Sequence, residues 1–168
     1  MAITIRKATP EDAYDWAECS IHCWQSAYRD IYPSEIMGNL PLEKEQRIEK
    51  YKKRLATPGE VEYYTVLHSR KMIGFLVTSE IHSEIYAIYL LEEFWGKGYG
   101  KEVMAFAVNK LTRVNPKEIT LWVFEKNTRA RRFYEKYGFM HDGGRKPSNR
   151  YDIPMDELRY VLPCENVE

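Results

Sequence analysis

Phe94-Trp-Gly-Lys-Gly-Tyr-Gly-Lys101 sets glycines at positions 96, 98 and 100, with Lys97 and Lys101 among them. The residues before it, Glu84-Ile-Tyr-Ala-Ile-Tyr-Leu90, form an apolar, aromatic-rich run that reads as a strand. After it, from Lys101 to Thr112, Val103, Met104, Ala107, Val108 and Leu111 recur at helical spacing. A strand, a glycine-rich turn and a helix, in that order, aim backbone N–H groups at an anion, because the first turn of a helix has no intrahelical acceptors for them.

The chain has 168 residues, enough for one domain with a core of its own, and residues 1–168 read as a single unit. Lys plus Arg and Asp plus Glu number 25 each, so no net field draws the chain to nucleic acid or to a membrane; any anion site must be local. No apolar run reaches the length of a membrane span, and Met1-Ala-Ile-Thr-Ile-Arg6 lacks the apolar stretch of a signal peptide. Three cysteines, few and odd in number, argue against a disulfide framework, and the expected location is cytoplasmic. Cys19, His22 and Cys23 share a helical face, but no fourth ligand follows at a suitable spacing. They read as core lining, and no metal is expected.

Ile3 to Lys7 alternates as a first strand. Thr9-Pro10-Glu11-Asp12 opens a helix with Thr9 as N-cap. Ala13, Trp16, Ala17, Ser20, Ile21, Trp24, Ala27 and Tyr28 continue it as one stripe until Tyr32-Pro33. Leu42 to Leu55 is a second, charged helix with a thin apolar face, closed by Thr57-Pro58-Gly59. Strands are expected over 62–68 and 72–80, joined by Ser69-Arg70-Lys71 as a hairpin, and again over 118–124. Asn127 caps a last helix carrying Ala130, Phe133, Tyr134 and Tyr137, with Gly138 beyond its end. Two weaker strands, 139–143 and 158–162, flank a polar loop containing Lys146-Pro147 and Asn149. The order β-α-α-β-β-β-α-β-α-β-β specifies an α+β sandwich. Its centre is a mixed, mostly antiparallel sheet of six to seven strands, flanked by four helices, with a parallel crossover through the third.

The glycine turn permits positive φ and close approach of a ligand, which suits a phosphate or pyrophosphate; a tight turn without a ligand fits the same spacing. Two nucleotide motifs fit poorly. The P-loop wants Ser or Thr after its lysine, and Lys101 is followed by Glu102; the dinucleotide turn wants its third glycine one residue later, in an early βαβ unit. The second constellation is Asn127-Thr-Arg-Ala-Arg-Arg-Phe-Tyr-Glu-Lys-Tyr-Gly-Phe139. Asn127 can cap its helix and still offer its amide outward. Tyr134 projects about two turns further along a similar face, where a phenol could protonate a leaving group. Simple packing of Phe133, Tyr134 and Tyr137 on the sheet is the alternative.

Together the two segments resemble the GCN5-related N-acetyltransferases. That family's central motif is Arg or Gln, two residues, Gly, one residue, then Gly or Ala. Trp95-Gly-Lys-Gly98-Tyr-Gly100 stands in its place, with Trp95 where Arg or Gln is usual. The second motif, an Asn before a helix with Ala and Phe-Tyr and ending in Gly-Phe, is matched by Asn127, Ala130, Phe133, Tyr134, Gly138 and Phe139. The resemblance follows the element order of the whole chain and is specific from Ile73 to Phe139. It implies acetyl-CoA as donor, with its pantetheine arm in a gap beside a bulged strand, where Ile88, Tyr89 and Leu90 would offer backbone groups. Trp95, Gly96, Lys97, Gly98, Tyr99, Gly100 and Lys101 would cradle the pyrophosphate, Lys97 or Lys101 compensating at the first position. Asn127 would reach the pantetheine, and Tyr134 matches the tyrosine that protonates the departing thiolate.

An ammonium must lose a proton before it attacks a thioester, so a carboxylate base is expected. Period-2 alternation puts Glu84 on one face with Tyr86, Ile88 and Leu90, pointing to the acceptor pocket; an exposed strand-end charge is the alternative. A backbone N–H near Ile88 would meet the oxyanion. Trp24, Tyr28 and Tyr86, with Tyr32, Asp30 and Glu35, are candidates to hold a cationic amine, although Trp24 and Tyr28 also read as core. The expectation is an acetyl-CoA-dependent N-acetyltransferase working by direct transfer, since no Cys in either motif could carry a covalent intermediate. The acceptor is read as a small primary amine: a polyamine, amino sugar or amino acid derivative. A protein or peptide acceptor, or a non-catalytic acyl-CoA sensor, is the alternative. No nucleic-acid or membrane partner is expected, and a homodimer is left open.

Overall fold

Seven strands, β1 (Ile3–Lys7), β2 (Glu62–His68), β3 (Lys71–Ser79), β4 (Glu84–Leu90), β5 (Glu118–Phe124), β6 (Met140–Ser148) and β7 (Met155–Pro163), form one sheet in the order β1-β2-β3-β4-β5-β7-β6. The computed structural model describes residues 2–57 and 59–165, so Pro58 of the expected Thr57–Gly59 closure lies outside the described residues. Every pairing is antiparallel except β4 with β5. The expected helices are α1 (Ala13–Ala27), α3 (Lys44–Ala56), α4 (Tyr99–Thr112) and α5 (Thr128–Tyr137); a short α2 (Ser34–Asn39) joins the first two. Among the described residues no helix is long and apolar enough to cross a membrane.

α1 forms where its sequence stripe meets the sheet. Trp16 is almost fully buried, lies 4.9 Å ring to ring from Phe75, and donates its indole N–H to Thr65 Oγ1 at 2.8 Å. The chain enters α1 through Asp12, whose carboxylate accepts from the Thr9 N–H at 2.8 Å and from both arms of the Arg6 guanidinium at 2.7 and 2.8 Å. α1 and α3 thus cover one face, over Phe75, Val77, Ala87 and Tyr89. α4 and α5 cover the other, with Val103, Met104, Ala107 and Leu111 against Val66, Ile73, Leu76, Ile119 and Leu121.

Two differences from the sequence reading have plain causes. β6 runs on to Ser148 and takes in Lys146-Pro147, which had read as a loop. It is the edge strand, mostly exposed, so proline and charges cost it little. The second difference is a bulge. Val77 pairs with Ala87 and Thr78 with Ile85, so Tyr86 is the extra residue in β4 and the alternation changes phase there. Ile85 joins Ile88 and Leu90 on the α4 face, while Glu84, opposite Ser79, falls on the face of Ala87 and Tyr89. The expectation of Glu84 on one face with Ile88 and Leu90 is therefore corrected.

Candidate active site

β4 and β5 pair only at Glu84↔Thr120 and Ile85↔Leu121. Beyond the bulge they part, and a cleft of about 410 Å³ opens between Tyr86–Leu90 and Trp122–Phe124. Bulges add twist and release ladder bonds, so the gap follows from the register shift beside it.

The glycine turn forms one end. Gly96 and Gly98 have φ of 70° and 87°, and a Cβ at either would meet nothing within 4 Å. Backbone conformation, not crowding, demands glycine there. Gly98 is the N-cap of α4 and no side chain caps that helix, so its positive dipole end opens on the cleft. Gly100 serves packing instead: a Cβ would lie 3.3 Å from Phe133 of α5. Lys101 lines the cleft with the three glycines. Lys97 and Tyr99 do not; the Lys97 ammonium stands 5.4 Å over the Phe94 ring, and Tyr99 packs on His68 at 5.5 Å. Trp95 folds back on the strand end, its indole N–H donating to the Leu90 carbonyl at 2.8 Å. That carbonyl is thereby engaged, while Ile88 and Tyr89 also line the gap.

α5 supplies the opposite wall. Asn127 is buried, caps α5 by accepting from the Ala130 N–H at 3.2 Å, and lines the cleft. Tyr134 lines it as well, its ring set among Phe133, Phe139 and Tyr160 at 5.6, 6.1 and 6.4 Å. Its hydroxyl makes no hydrogen bond to a described residue. Burial pushes this phenol well above its usual value, the neighbouring Tyr89 adds to the rise, and Arg129 opposes it. A phenol so held keeps its proton through the working pH range.

On the α1 side, the Tyr28 and Tyr89 hydroxyls hydrogen-bond each other. Burial lifts Tyr89 to about 12 and also raises Tyr28 well above its usual value. Trp24 and Tyr28 are both core and cleft wall, so the two readings of them coexist. The Trp24 face is taken by the Arg150 guanidinium at 4.1 Å, which leaves that side of the ring closed to an amine cation. Tyr86, 46% exposed, lines the cleft; Tyr32, Asp30 and Glu35 do not. Glu84 stands at the edge rather than in the wall. Burial raises its carboxyl, Lys146, His82 and Arg159 oppose the rise, and the Tyr86 hydroxyl interacts with it.

Sequence reasoning missed Arg129, Arg150, Glu157, Trp122 and Phe124, all in the walls. Trp122 and Phe124 could have been found from period-2 alternation in β5. Arg150 and Glu157 belong to or follow the stretch read as a polar loop, and carried no signal. Glu157 pairs with Lys146 at 3.4 Å. Among the described residues no group of three or more His, Cys, Asp or Glu converges to hold a metal; Cys19 and Cys23 are buried with sulfurs 3.8 Å apart.

A sheet prised open between its two parallel strands, with a bare helix N-terminus at one end and a protonated phenol in the wall, defines an acyltransferase built for a long, phosphate-bearing thioester. Residues 14–139 match the model of the acetyltransferase (GNAT) family, and the chain belongs to that family as an acetyl-CoA-dependent N-acetyltransferase. It is 28% identical over 144 residues to the uncharacterized N-acetyltransferase YuaI of Bacillus subtilis, covering 80% of this chain and 79% of that one. It is 25% identical over 143 residues to the spermidine N(1)-acetyltransferase of Thermoplasma acidophilum, covering 83% and 89%. The crystal structure of the PaiA N-acetyltransferase of Thermoplasma acidophilum, in complex with coenzyme A, shares the fold. Its TM-score is 0.73 at 22% identity, over 98% of this chain and 100% of that one.

Proposed function

We propose that the protein, working as a single domain in the cytoplasm, acetylates a small primary amine by direct transfer from acetyl-CoA held in the β4–β5 cleft. The observation that carries this is the Tyr134 hydroxyl, which faces the cleft without a described partner and stays protonated by burial. In this reading the uncapped α4 N-terminus and Lys101 hold the donor's pyrophosphate, and Ile88, Tyr89 and Asn127 align the pantetheine arm. The acceptor enters from the α1 side, past Tyr28 and Tyr86, with Glu157 attracting the ammonium. Glu84, on the same sheet face and raised by burial, takes a proton from the amine through water. The nitrogen lone pair then forms the bond to the carbonyl carbon, the nitrogen releases its second proton to solvent, the C–S bond breaks toward sulfur, and Tyr134 gives that sulfur its proton. Solvent returns the proton to the phenol.

A small acceptor is supported by a relative along most of the chain that is named for spermidine acetylation. The test is a screen for amine-dependent thiol release from acetyl-CoA, using spermidine, glucosamine, free amino acids and N-terminal peptides. Turnover of small amines and not of peptides is expected. Turnover of peptides alone would overturn the acceptor, and tight coenzyme A binding with no turnover of any amine would favour a sensor.

A further inference from the structure

Trp95 leaves the donor turn without the guanidinium or amide that the family usually places there. Its own N–H is spent on the Leu90 carbonyl, so Trp95 cannot turn to meet an anion without breaking that bond. Lys97 does not repair the loss, since its ammonium lies over Phe94 and outside the cleft wall. A cation does stand there, from another element. The Arg129 guanidinium of α5 lies 3.4 Å from the centroid of the Trp95 ring and lines the cleft together with Gly96, Gly98 and Lys101.

We propose that Arg129, held on the Trp95 ring, is this protein's pyrophosphate-binding cation, delivered across the cleft from α5 in place of the residue missing at position 95. The proposal rests on the donor reading above. A guanidinium stacked on an indole is steadied through its π-face while its N–H groups radiate from its edge, which is the edge that grips phosphate oxygens bidentately. Arg129 is exposed and pairs with no carboxylate among the described residues. Partial desolvation beside Trp95 lowers its pKa, yet a guanidinium remains charged in any protein, so a cation without a described counter-ion lines the cleft. Trp95 thus becomes a platform rather than a defect in the motif. It closes the end of β4 through its nitrogen and carries the charge on its face.

Calorimetry with coenzyme A and with 3′-dephospho-coenzyme A separates the pyrophosphate, which both contain, from the 3′-phosphate, which only the first has. Arg129→Gln should weaken both ligands equally, by roughly tenfold to a hundredfold, the range of one charged hydrogen-bond set. Arg129→Lys, which keeps the charge but loses the planar fork, should lose less. A change for Arg129→Gln within about twofold of wild type would overturn the proposal, as would a loss confined to coenzyme A. So would an Arg129→Lys protein as weak as Arg129→Gln, because packing on Trp95 and not charge would then be at stake. A wild-type protein that binds neither ligand would refute the donor reading itself, before any variant is compared.

Discussion

Replacing Tyr134 by Phe removes one oxygen and leaves the ring where it is. The ring contacts with Phe133, Phe139 and Tyr160, at 5.6, 6.1 and 6.4 Å, do not involve the hydroxyl, and no described residue hydrogen-bonds it. Loss of the oxygen should therefore shift folding stability by no more than about 0.5 kcal/mol. The rate should respond differently. A positioned general acid contributes about 10²–10⁴-fold, so the barrier should rise by roughly 2.7–5.4 kcal/mol at 1.36 kcal/mol per decade. Thiol release under saturating acetyl-CoA and amine measures kcat, and calorimetry with coenzyme A measures donor affinity. The expected result is a kcat lower by that factor, with affinity changed by less than about threefold. Because burial raises the phenol, no alkaline loss of activity below its ordinary value near 10 should trace to Tyr134. A kcat that stays within about threefold of wild type, or an affinity loss that matches the rate loss, would refute the assignment of Tyr134 as the acid.

Glu84→Gln should flatten the acidic limb of the kcat/KM profile, a limb displaced above the ordinary carboxylate value by the burial that raises Glu84. Glu157→Gln should instead raise the KM for the amine and leave the limb in place; the reverse pattern would exchange the two roles. Asp12→Asn should cost about 1–3 kcal/mol of stability at neutral pH, since it breaks the Arg6 fork and weakens the Thr9 bond at the entry to α1. The Arg6 hydrogen bonds hold the Asp12 carboxyl below its ordinary value. Its contribution is therefore complete above the unfolded value near 3.8 and lost as pH falls through the lower folded one. Acid melts should show the gap between wild type and Asp12→Asn closing below about pH 4, and a constant gap would contradict the sign.

How much was legible depended on punctuation. Asn127 and Gly138 bracket α5 in sequence as they do in space, with φ of 122° at Gly138, and β5 was readable as a dense β-branched and aromatic run. α2 was not legible: six residues containing Gly38 carry too few turns for periodicity to register. β6 was half missed because an exposed edge strand needs no apolar face, so Lys146-Pro147 looks like loop. The bulge at Tyr86 is the instructive failure. No glycine marks it, and a one-residue phase change is invisible to a rule that assumes period 2, yet it sets the face of Glu84 and opens the cleft. Arg129 escaped for another reason: a charge in the first turn of a basic helix reads as solvated until Trp95 is seen beneath it.

The central claim is that acetyl passes from coenzyme A to a small amine in this cleft. Mass spectrometry of a reaction holding the purified protein, acetyl-CoA and the best amine of the screen tests it directly. The account predicts an amine bearing one new acetyl group, with one free coenzyme A for each product and no acetyl left on the protein. Coenzyme A released without acetylated amine, or a stoichiometric acetyl-enzyme, would contradict it.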